Sequence, residues 1–82
     1  MTAQHIRETL LAANRNGVVW NEIVRQINVL AGFLAVSDAK LRRFAIEGKK
    51  PHSVTFYWLE RWAEQREREA QSATAEGSTV AR

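Results

Sequence analysis

Apolar residues recur every three to four positions along this chain, and no stretch alternates in the period of two that a half-buried strand requires. The first helical segment is predicted from Thr2, a candidate N-cap, to Asn14, with Ile6, Leu10 and Ala13 on one face. Asn14-Arg15-Asn16-Gly17 supplies its stop, because Gly and Asn tolerate a left-handed C-cap. The second repeats Trp20, Ile23, Val24, Ile27 and Leu30/Ala31, a spacing that predicts a helix from about Val19 to Phe33. The third opens at Ser37, a capping hydroxyl, with Asp38 where the helix dipole favours negative charge. Leu41, Phe44 and Ala45 face inward together, and Gly48 ends the helix. Lys49-Lys50-Pro51-His52 reads as a linker, since Pro51 lacks the amide a helix interior needs. Ser53 is then the expected cap of a fourth helix that carries Phe56, Tyr57, Trp58, Leu59 and Trp62 and turns polar from Glu64. The expected fold is all-α, with four helices in a single domain over residues 1–71. A disordered tail is expected over 72–82, where Ala, Ser, Thr, Gly and Glu have too little to bury.

Eighty-two residues suffice for one modest core, and a core that size leaves little material for an enclosed catalytic cleft. The chain is 45% hydrophobic and 26% charged, ordinary values for a folded domain. No cysteine is present, which excludes a disulfide framework, a thiolate zinc site and a thiol nucleophile. The longest apolar run, Val29 to Val36, is far shorter than a bilayer span. The N-terminus lacks the basic and apolar regions of a signal peptide, so a cytoplasmic location is expected. The net charge of +3 is small but unevenly placed. Residues 37–52 hold five basic groups (Lys40, Arg42, Arg43, Lys49 and Lys50) against Asp38 and Glu47, while seven basic and seven acidic groups cancel elsewhere. The whole excess therefore sits on one segment, as an anionic polymer would require of its binder.

Ile27 to Ile46 has the composition of a helix-turn-helix. Two short helices crossing steeply need a small residue at the crossing, and Ala31 supplies it. Leu30, Leu34, Val36, Leu41 and Phe44 are expected to hold the pair on the core. Ser37, Ala39, Lys40, Arg42 and Arg43 are left outside, where two adjacent guanidinium groups suit guanine edges or phosphates in a major groove. This stretch resembles the helix-turn-helix regulators of the lambda-repressor/Cro type. Ala31 corresponds to the small residue of that motif's first helix, and Leu41 and Phe44 to the buried pair of its recognition helix. Gly48-Lys49-Lys50-Pro51 is similar to the glycine, basic residue and proline that often follow it. The resemblance implies a motif at about 27–48, with Ser37, Ala39, Arg42 and Arg43 toward base edges and Lys49, Lys50 and His52 against the backbone. The small basic chain is also similar to regulators carried by phages and other mobile elements. Two departures stand out: the family's turn glycine is replaced by Ala35, and Val19 to Gln26 extends the apolar face of the leading helix.

Three consecutive aromatics cannot share one core from a helix, because neighbours point roughly 100° apart. Either the first helix covers Tyr57 and Trp58 or one of them is exposed, and the expected cover is a second copy of the chain. Tyr57, Trp58 and Trp62 are the expected dimer interface. Mixed charge around these residues disfavours base stacking of the single-strand kind. An enzyme is not expected: His5 and His52 are far apart, no phosphate-cradling loop occurs, and metal ligands are too few, so neither metal nor cofactor is predicted. The expected function is sequence-specific binding of double-stranded DNA by a homodimeric transcriptional regulator, acting by repression. The rival reading is a protein-binding adaptor or inhibitor that uses the aromatic fourth helix.

Overall fold

Thr2, in extended backbone, accepts a hydrogen bond from the His5 amide through its side chain and starts α1 (Ala3–Arg15). Asn16 and the left-handed Gly17 end it, and α2 (Trp20–Ala31) follows. Ser37 caps α3 (Asp38–Arg42), accepting the Lys40 amide at 3.4 Å. α3 continues without a break into a widened π turn, Arg43–Glu47, which Gly48 closes in the left-handed conformation at φ +77°. The last helix is α4 (Ser53–Val80). The computed structural model describes the backbone of residues 1–80 and the side chains through Gln71. The tail expected over 72–82 falls on residues whose side chains lie outside that description. Among the described residues there are four helices and no strand, and no helix is long and apolar enough to cross a membrane.

One core joins the four helices. α1 contributes Ile6, Leu10 and Ala13, α2 contributes Ile23 and Ile27, and α4 contributes Leu59, Trp62 and Ala63. Leu41, Phe44 and Ala45 enter it from α3 and its π turn. Phe44 meets Phe56 of α4 edge-on, with ring centroids 6.1 Å apart. Each of these large side chains, buried fully, stabilises the fold by about 1.5–3 kcal/mol.

Four expectations are corrected. α2 ends at Ala31 rather than Phe33, because Gly32 adopts φ +82° and its amide closes on the Asn28 carbonyl at 2.9 Å. The early stop leaves Leu34 off the helix and 89% exposed, while Leu30, still within α2, is partly exposed rather than buried. Ala35 and Val36 are the buried residues of the connection instead. His52, not Ser53, caps α4: its carbonyl accepts the Phe56 amide at 2.8 Å and its ring Nδ1 accepts the Val54 amide at 3.4 Å. Trp62 is core rather than interface, 2% exposed, with its indole N–H donated to Gln26 Oε1 on α2 at 3.0 Å. A Trp so enclosed and so bonded is satisfied without a second copy.

Candidate nucleic-acid interface

The six residues between α2 and α3 are fixed by side chains rather than by a tight glycine turn. Asn28 Oδ1 accepts the amides of Ala35 at 2.8 Å and Val36 at 3.0 Å, and its Nδ2 donates to the Val36 carbonyl at 3.1 Å. The buried Thr55 hydroxyl on α4 donates to the Ala35 carbonyl at 2.7 Å. The connection is thereby tied to the helix before it and to α4, which sets where α3 begins. Ala35 is tolerated at the departure noted in the sequence because the left-handed residue is Gly32. A polar Asn four positions before that glycine was the one available signal of this network.

A second clamp holds the far end of α3. A π turn carries an extra residue and loosens the regular carbonyl pairing. Arg7 of α1 gathers carbonyls at that end, donating from Nε to Phe44 O at 3.0 Å, which also accepts the Gly48 amide, and from Nη2 to Ala45 O at 3.3 Å and Ile46 O at 3.4 Å. Three acceptors need the planar fork of a guanidinium, which lysine cannot supply. Arg7 is invisible to a sequence reading, since its partners are backbone atoms nearly forty residues away.

Between these clamps α3 presents a basic outer surface. Ser37, Ala39, Lys40, Arg42 and Arg43 are all exposed, while Leu41, Phe44 and Ala45 are buried. At roughly 100° per residue, Ala39, Arg42 and Arg43 form the side opposite the core, and Lys40 flanks them. Ala39 keeps the centre of this face low, so nothing bulky stands in front of the two guanidinium groups. Arg42 Nε donates to Asp38 Oδ2 at 3.0 Å, one turn back, and the Arg42 side chain remains about half-exposed. Beyond the π turn Lys49 is exposed, and Lys50 Nζ lies 4.9 Å from the centre of the Phe56 ring. His52 is exposed, with one ring nitrogen committed to capping α4.

The aromatic residues of α4 divide. Trp62 joins the core, whereas Tyr57 is about half-exposed and Trp58 partly so. Trp58 stands edge-on between Tyr57, at 5.0 Å between centroids, and Phe33 of the connection, at 6.2 Å. His5 is on the opposite side of α4, paired with Glu67. Compared with family models, with curated proteins and with solved structures, the chain matches none of them.

Proposed function

We propose that this protein is a small helix-turn-helix regulator that binds duplex DNA sequence-specifically as a homodimer and represses transcription. The motif comprises the end of α2, the connection and α3 with its π turn, residues 27–48. The observation that carries the reading is the meeting of two independent patterns on α3. The segment that holds the whole net charge of the chain is α3 with its π turn and the two lysines after it, and all of its basic side chains stay outside the core. A helix anchored at both ends, by Asn28 with Thr55 and by Arg7, suits the role, because base readout needs its donors held in register. Arg42 and Arg43 are the base readers in this proposal, with Ser37, Ala39 and Lys40 beside them. Lys49, Lys50 and His52 hold the phosphate backbone.

Selection of bound sequences from a random duplex pool tests the proposal. The expected result is a palindromic motif with half-sites about one helical turn apart. On the selected site Arg42→Ala is expected to cost about 1–3 kcal/mol, and much less on a scrambled duplex. A pool that yields no enriched sequence would overturn the reading. In that event the adaptor alternative is favoured by the exposed Phe33–Trp58–Tyr57 aromatics.

A further inference from the structure

Exposed apolar side chains gather around the end of α2, and of these the sequence pattern assigns only Leu30 and Leu34 to the core. Val29 is 69% exposed, Leu34 89%, and Phe33 and Tyr57 about half. Leu34 follows Phe33 in the chain, and the others adjoin one another. Phe33 packs on Trp58, Trp58 on Tyr57, and Leu30 lines one shallow hollow with Tyr57 and Trp58. Leu30 and Val29 also line the adjoining hollow, whose floor is Trp62. The result is a continuous apolar ridge formed by the last turn of α2, the start of the connection and the near side of α4.

We infer that this ridge is the face through which two copies of the chain pair, with Val29, Phe33 and Leu34 at its centre rather than Trp62. Two arguments select a second copy over another protein. The first is area. With ordinary side-chain sizes, the exposed fractions amount to on the order of 500 Å² of apolar surface per copy. Two copies together then reach roughly 1,000 Å², the smallest area at which a specific interface is expected. The second is charge. At one edge Glu22 is paired with Arg25, and at the other Arg61 with Glu64. The Glu22 carboxyl is held below its ordinary range by its hydrogen bonds from Arg25. Arg61 also lies 5.5 Å from the Tyr57 ring. Arg66, Arg68 and Glu69 also line the two hollows, so Arg25, Arg61, Arg66 and Arg68 stand against Glu22, Glu64 and Glu69, and a two-fold axis through the ridge brings little excess of one sign against itself. A strongly acidic or basic partner would find little opposite field to meet.

The ridge begins at Val29 and ends within three residues of Ser37, the cap of α3. Pairing there couples the two basic helices directly through the connection. This use of the dimer, to present two readers to two half-sites, rests on the duplex-binding proposal; the pairing itself does not.

Sedimentation of the full chain without DNA tests the inference, because Leu34 and Val29 are exposed enough to change without loss of fold. The wild type is expected to sediment as a dimer that dissociates on dilution. Leu34→Glu and Val29→Glu should each sediment as monomers with unchanged helical circular dichroism. A wild type that is monomeric at every concentration would overturn the inference, as would variants that remain dimeric. A variant that lost its helix content would contradict the exposure on which the ridge rests. A monomer that still enriched a duplex motif would remove the pairing and leave DNA binding standing. A dimer that bound no duplex would do the reverse.

Discussion

Asn28 holds the α2–α3 connection with both ends of one amide, a task that a carboxylate or a hydroxyl cannot perform alone. Its oxygen takes two backbone donors and its nitrogen serves one backbone acceptor. Removing it strands the amide of the buried Val36 and leaves that of Ala35 with the Phe33 carbonyl alone, and an unmet buried donor costs more than a hydrogen bond contributes. Asn28→Ala is therefore expected to lower unfolding stability by about 2–3 kcal/mol, read from the urea midpoint. Asn28→Asp should fall between, because it keeps the two acceptor contacts and sets a carboxylate oxygen against the Val36 carbonyl. A loss of only a few tenths from Asn28→Ala would mean that the connection is held by Thr55 and Val36 packing instead. The residues that sequence made legible are those whose role is local or periodic. Ile6, Leu10, Ile23, Ile27, Leu41 and Phe44 follow from spacing, and Thr2 and Ser37 from capping chemistry. Thr55 and Arg7 act on backbone atoms brought near only by the fold, and no spacing announces them, while Asn28 is signalled only by its place four positions before Gly32.

Helix ends decide which surface each element shows. Gly32 ends α2 two residues before its apolar pattern does, and that stop puts Leu34 outside the core. The sequence reading found the right helix and followed its hydrophobic run past the true stop. Tyr57, Trp58 and Trp62 raise the same difficulty on α4. Spacing shows that Phe56, Tyr57 and Trp58 cannot share a core; Trp62 lies beyond them, and the position of α2 with its Gln26 is what buries it. Gly48 is the sharpest case of an end under constraint. Its φ of +77° is a conformation that residues with a side chain rarely hold, and a Cβ there would lie 3.3 Å from the Arg7 guanidinium carbon. Gly48→Ala is accordingly expected to destabilise by about 1–2 kcal/mol from the backbone alone. Part of the Arg7 clamp should loosen as well, so amide exchange should rise at Lys49, whose N–H bonds the Arg43 carbonyl at 3.3 Å. Equal stability of Gly48→Ala and wild type would mean that the π turn is not fixed by this closure.

Across the whole molecule, charge and apolar surface are kept apart. The net charge resides on α3 and the segment after it, while the apolar ridge lies on α2, the connection and α4 between edges of nearly balanced charge. A protein arranged this way can meet a polyanion with one side while the other stays free for a copy of itself. On the proposed reading the basic side has two kinds of contact, and salt separates them. Lys49 and Lys50 stand beyond the left-handed glycine, off the helix that faces the bases, so they are placed to meet phosphates. A phosphate contact releases counterions and carries no sequence information. Lys49→Ala should thus weaken the selected site and a scrambled duplex alike, and flatten the dependence of log affinity on log salt by about one unit. Lys50→Ala should do the same to binding, with a further loss of stability near 0.5 kcal/mol from its contact with the Phe56 ring. Arg42→Ala should instead separate the two duplexes. Titrating all three variants against both duplexes at several salt concentrations reads every one of these outcomes. If Lys49→Ala left the salt slope unchanged, the lysine pair would not touch the backbone. The phosphate contacts would then have to come from α3 itself, where Lys40 is the remaining exposed amine.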